Sequence, residues 1–181
     1  MRQAILGVAA FAALTGSSAG ARQSVYQELR TSGYPDTSLP AAFSSAKVKA
    51  VPLSASARSN GAVGAVEVDV DGPDANAGVV FVVFKTPSGA ATDMGRALPS
   101  GLALTPSGKV SGQPQSAVFA GASGQTDALG QTVVQGVTYA VVAQGAVLVA
   151  GFTYAPTKLR DGGGAVALAR SGLRHLQAVS G

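Results

Sequence analysis

The stretch 132–154, TVVQGVTYAVVAQGAVLVAGFTY, decides the fold. Val, Tyr and Phe dominate it, no Pro interrupts it, and Gln144-Gly145 near its middle supplies a residue tolerant of positive φ, so it predicts a β-hairpin. With that pair as the loop, Val137 faces Phe152, Tyr139 faces Ala150 and Val141 faces Leu148 on a bulky side. The opposite side gathers Thr138, Ala140, Val142, Val147, Val149 and Gly151, residues small enough to let a helix approach closely.

A helix for that seat follows in the chain. From Gly164 to Val179, the residues Ala165, Leu168, Ala169, Gly172, Leu173, Leu176 and Val179 fall in one broad arc. Asp161, just upstream, suits the positive end of the helix dipole. Before the hairpin, Ala65–Asp71 alternates strictly, with Val66, Val68 and Val70 on one face and Glu67, Asp69 and Asp71 on the other. A turn at 72–76 leads to Val79–Phe84, apolar on both faces and therefore a more central partner. Thr86-Pro87 reads as an N-cap followed by Pro at the first helical position, opening a short helix to about Leu98.

The remaining elements are weaker. Phe43–Leu53, where Lys47 and Lys49 alternate with Ala46, Val48 and Ala50, predicts an edge strand. Residues 99–115 offer at best a short strand or two, Ser116–Ala120 another, and 121–130 a polar loop. The expected fold class is α+β: a single domain over 41–181 with an antiparallel β-sheet of about five to six strands, helices packed on it, and two hairpin-then-helix units. The order of elements resembles that of PsbP-like α/β sandwiches.

Residues 1–21 have the composition of a signal peptide: Arg2 in a short basic start, the apolar run Ala4–Leu14, and Ala19-Gly20-Ala21 as a cleavage site. Export to the periplasm or the cell exterior is the expectation, with no integral membrane span once the segment is removed, because the apolar run is too short to cross a bilayer comfortably. Residues 22–40 are expected to form an N-terminal helix (22–32) and a linker (34–40). The chain has no Cys, which excludes disulfides, thiolate metal sites and a lipidated cysteine at the cleavage point. Charged residues make up only 12% and the formal net charge is +4, with no basic stripe or interleaved stacking aromatics, so nucleic acid is not an expected partner.

Two groups of residues carry candidate chemistry. Asp69, Asp71, Asp74 and Asn76, with Glu67 before them, place oxygen ligands at alternate positions beside a glycine turn, the kind of set Ca²⁺ uses. They lack the distal bidentate Glu of an EF-hand, and Asp-Gly-Pro-Asp is also ordinary turn chemistry. Tyr139, Phe152 and Tyr154 are candidates for a ligand-binding surface, with plain core as the competing reading. His175 is the single histidine, expected to sit half-exposed at the border of its helix's apolar arc. Ser44-Ser45-Ala46-Lys47 matches a bare Ser-x-x-Lys spacing, but a strand would separate those side chains.

No nucleophile–base set emerges and no cofactor other than Ca²⁺ is suggested. The function expected is therefore non-enzymatic binding or interaction in the cell envelope or outside it, with an unknown small molecule, glycan or protein as partner. The alternatives are a secreted hydrolase, a Ca²⁺-binding envelope protein using the acidic turn 67–76, or a purely structural envelope component.

Overall fold

Seven runs of β-forming residues pair into one antiparallel sheet: β1 (Ser44–Val51), β2 (Ala62–Asp71), β3 (Asn76–Phe84), β4 (Ala103–Gly108), β5 (Ser116–Thr126), β6 (Thr132–Gln144) and β7 (Val147–Pro156). Among the described residues, four α-helices complete an α+β fold: α1 (Ala19–Thr31), α2 (Ala55–Ser59), α3 (Pro87–Asp93) and α4 (Gly163–Ser180). The computed structural model describes residues 19–72, 76–96, 102–126, 132–156 and 163–180. The bulk of the expected signal segment, the helix-capping Asp161 and the acidic-turn Asp74 lie outside those residues.

The strand order is β1-β2-β3-β7-β6-β5-β4, two meanders joined where β3 meets β7. The hairpin β6–β7 thus occupies the middle of the sheet. Seven strands replace the expected five to six. Pro106 does not prevent β4 because an edge strand leaves one row of amides unpaired anyway. The Gly- and Ser-rich stretch after Ala120, expected as a loop, continues β5 to Thr126 opposite Thr132 of β6. There the pairing partner outweighs weak strand propensity.

The central hairpin turns one residue later than the sequence suggests. Gln144 pairs with Val147, so Gly145-Ala146 is the loop and Tyr139 faces Phe152, Val141 faces Ala150 and Val137 faces Tyr154. Gly145 has φ +57° and Ala146 has no positive φ, the pattern of a type II′ turn with glycine first. The pairing shifts by two residues along the strand, an even number, so every side chain stays on the face expected for it.

Helices cover both faces. α1 and α4 lie on the small-residue face, where Val66, Val68, Val79, Phe81, Ala140, Val142 and Val149 join Leu29, Ala165, Leu168 and Ala169 in one core. Its closest approach is at Gly151, where a Cβ would overlap the Ala165 carbonyl oxygen and the Ala169 amide. The stretch 34–40, read as linker, is drawn into this core: Tyr34 and Leu39 are buried, with a short 3₁₀ turn (Asp36–Ser38) between them.

On the bulky face, Ala57 of α2 and Ala90 of α3 pack with Phe84, Phe119, Val137, Tyr139, Val141, Leu148 and Phe152. Thr86 caps α3 by accepting from the Gly89 amide, with Pro87 at the first turn as expected, but the helix stops at Asp93 rather than near Leu98. Asp93 is 1% exposed and accepts from Ser56 Oγ (2.5 Å) and Asn60 Nδ2 (3.0 Å), tying α2 to α3. Asp93→Ala leaves both donors without their charged acceptor and is expected to cost about 2 kcal/mol in urea denaturation. An unchanged midpoint would show that α2 is not held by this carboxylate.

Candidate functional site

Cross-strand register brings the two candidate groups together. On the bulky face a transverse row runs Lys47, Asp69, Gly78, Phe152, Tyr139, Phe119, Pro106, from β1 to β4. The neighbouring row carries Lys49, Glu67, Val80, Ala150, Val141 and Ala117. On the other side of the first row, Asn76 pairs with Tyr154 and Tyr154 with Val137. Acidic residues and aromatics that lie some seventy positions apart in the chain therefore share one sheet face, charged on β1–β2 and aromatic on β6–β7. Gly78 separates them. It has no side chain, and the Phe152 ring lies over it where a Cβ would stand.

The aromatic end is three rings deep. Tyr139 stacks on Phe152 with centroids 5.7 Å apart, and Tyr154 meets both edge-on at 6.2 and 6.1 Å. Tyr139 and Phe152 are 6% and 5% exposed, so these two are core residues, in one cluster with Met94, Leu102 and Leu104. Tyr154 is only half-buried. The Tyr139 and Tyr154 hydroxyls share a hydrogen bond of 2.9 Å. Burial foremost, then that bond, pushes the Tyr139 phenol far above its ordinary value, and the charge of Glu67 adds to this. Tyr139 is therefore a neutral hydrogen-bonding group at any physiological pH.

The charged end is organised by a lysine that the strand alternation places on the acidic face. Lys49 Nζ lies 2.7 Å from Asp69 Oδ2 and 3.5 Å from Glu67 Oε1, with about half of its side chain exposed. The Asp69 hydrogen bond raises the Lys49 value, as pairing should. Glu67 is also raised, first by burial and then by its contact with Asp69, against the opposing pull of Lys49. The two directions agree: the ammonium is held by Asp69, while Glu67, the more buried carboxylate, keeps its proton to higher pH than an exposed one would.

The predicted oxygen-ligand set is divided. Asp69 is engaged by Lys49, Asp71 accepts from Ser45 Oγ at 2.6 Å, and Asn76 stands beside Tyr154. Among the described residues no group of three or more His, Cys, Asp or Glu side chains is placed to hold a metal ion. Ser45, of the Ser-x-x-Lys match, sits in β1 at a bulge with φ 44°, the one non-glycine residue described with positive φ.

His175 differs from the expectation. It is 5% exposed, not half-exposed, because Tyr34 covers it with ring centroids 4.6 Å apart and Phe81 lies beneath at 6.0 Å. Ser171, one turn earlier on α4, is fully buried and bonds to Tyr34 Oη at 2.6 Å. Neither contact was legible in the chain, since only docking of the 34–40 segment creates them. A separate shallow hollow of about 380 Å³, open to solvent, is lined by Ser59, Asn60, Lys85, Thr86, Ser88 and Thr92.

Among the described residues no helix is long and apolar enough to cross a membrane. Compared with models of known protein families and with curated protein sequences, the chain matches none.

Proposed function

We propose that the chain is an exported, non-enzymatic binding domain whose ligand-contacting surface is the charged and phenolic part of the bulky sheet face, formed by Lys49, Glu67, Asp69, Asn76 and Tyr154, and that its ligand is a glycan. The observation that carries this reading is the convergence of those residues from β1, β2, β3 and β7 onto one partly exposed face. Export rests on the leader-like composition of 1–21.

The glycan class follows from what the face offers. Tyr139 and Phe152 are buried, so these two rings offer little surface to an apolar small molecule, which needs a concave site lined by such groups. What stays accessible is polar: an ammonium, two carboxylates, an amide and one half-buried phenol. Such a surface matches a hydroxyl-rich chain lying across the strands.

Retention on cellulose and chitin, and retardation in gels containing soluble hexose polymers, test the reading. Wild-type protein is expected to be retained by at least one polymer. Tyr154→Ala is expected to weaken that retention about tenfold, the loss typical of an anchoring aromatic, with its far-ultraviolet spectrum unchanged. Equal retention of the variant, or none by wild type on any polymer, rules the site out. Export is checked separately by N-terminal sequencing of protein recovered outside the cytoplasm, where a start at Arg22 is expected.

A further inference from the structure

The small-residue face carries a device that does not depend on the proposed ligand. The segment from α1 to Phe43 crosses this face as a strap, held at its C-terminal part by a clasp on α4. Tyr34 Oη bonds to Ser171 Oγ at 2.6 Å, Ser171 Oγ donates to the Ser38 carbonyl oxygen, and Arg174 donates to that same oxygen at 3.2 Å. Leu29, Tyr34, Leu39 and Phe43 of this segment are buried in the core on the same face. His175 lies under the strap in a cluster of three rings, 4.6 Å from Tyr34 and 6.0 Å from Phe81, which are themselves 6.4 Å apart.

The surroundings of this imidazole suit only its neutral form. The strap contributes the neutral phenol of Tyr34, β3 contributes Phe81, α1 adds Leu29, Val25 and Tyr26 to the same cluster, and α4 itself supplies Ser171 and the cationic Arg174. No described carboxylate acts on it. An imidazolium there would be desolvated and unpaired. Burial accordingly holds His175 below its ordinary value.

We propose that the strap is an acid-opened cover: protonation of His175 lifts the segment ending at Phe43 off α4 and the sheet, while the sheet stays intact. Phe81 of β3 joins the imidazole to the central sheet, and Tyr34 of the strap covers it with ring centroids 4.6 Å apart. Lifting the strap hydrates the charge at the cost of a few hydrogen bonds, the burial of Leu29, Tyr34, Leu39 and Phe43, and the partial burial of Val25 and Tyr26. Breaking the sheet would cost the whole core. Opening uncovers the apolar face of β2, Val66 and Val68 among it, on which α1 packs.

The sign follows from linkage. The closed form has the lowered value and the open form the ordinary 6.5, so closure is fully favoured above 6.5 and is lost as pH falls toward the lowered value. One proton is taken up on opening, so the opening constant rises by up to about tenfold per pH unit in that window.

Hydrogen exchange, with protection factors corrected for the intrinsic pH dependence, is the direct test. In wild type, protection across 22–43 is expected to fall from pH 7.5 to pH 4.5 while amides of β3, β6 and β7 hold theirs. His175→Phe keeps the ring without the proton, and its strap protection is expected to be independent of pH. Since the chain has a single histidine, its ring-proton resonance can also be followed in wild type and in Tyr34→Ala. Titration below 6.5 in wild type, moving back toward 6.5 in Tyr34→Ala, is the expected result. An ordinary value in wild type, or a strap whose protection is unaffected by acid or falls equally in His175→Phe, overturns the proposal.

Discussion

Phe81→Ala is expected to destabilise the domain by about 3–5 kcal/mol, read as a fall in the urea midpoint at unchanged slope. Phe81 is 1% exposed in β3, a strand with partners on both sides, and its ring touches the undersides of both Tyr34 and His175. Truncation removes a large apolar body where backbone fixed by ladders on both sides cannot close the gap. It also takes away the floor of the histidine site. The same variant should therefore admit water to His175 and bring its titration back toward the ordinary value. A loss under about 1 kcal/mol would mean that the strap and α4 settle into the space, and that this core is softer than its ladder suggests.

Gly151→Ala is expected to be nearly as damaging, at about 3 kcal/mol, for the opposite reason. A methyl group at most strand glycines would help by about 0.5–1 kcal/mol through reduced chain entropy. Here it meets the Ala165 carbonyl and the Ala169 amide, backbone atoms of α4 with no rotamer to escape into. Overpacking against rigid backbone commonly costs 1–3 kcal/mol and sometimes more, so the steric term wins and the helix must shift off β7. Gly108→Ala serves as the control, because nothing lies within 4 Å of a Cβ there and its φ is not positive. Its effect should stay within about 0.5 kcal/mol. If both variants melt alike, close seating of α4 on Gly151 is not what holds the two layers together.

Much of this architecture could be read from local pattern. Val66, Val68 and Val70 are all buried as their alternation requires, at 0, 1 and 8% exposure. Thr86-Pro87 opens a helix, the small-residue face of 132–154 seats α4, and the two hairpin-then-helix units are in place. The misses come from pairings that are non-local. β5 extends through residues with poor strand propensity because β6 lies alongside, and the hairpin turn moves to Gly145-Ala146 because the ladder, rather than dipeptide preference, sets its register. Tyr34–Pro40 looks like linker by composition, yet two of its side chains are core.

The candidate site divides in the same way. Residue chemistry alone singles out Asp69, Asp71, Asp74, Asn76, Tyr139, Phe152 and Tyr154, of which Asp74 lies outside the described residues. Which of them meet depends on strand order: β3 lies between β2 and β7, so Asp69 and Phe152 flank Gly78 in one row. That order also gives Lys49 to Asp69, and so supplies the acidic group with a cation of its own.

By itself the sequence determined the fold class, the amphipathic faces of its strongest elements and the absence of cysteine chemistry, because these depend on periodicity and composition, which act within a few residues. Only the tertiary structure decided the seventh strand, the burial of His175 beneath Tyr34, and the meeting of acids with phenols on one face. Each of those joins segments far apart in the chain. Their contacts exist only once the sheet order and the docking of the N-terminal strap have been chosen by the burial of the whole core.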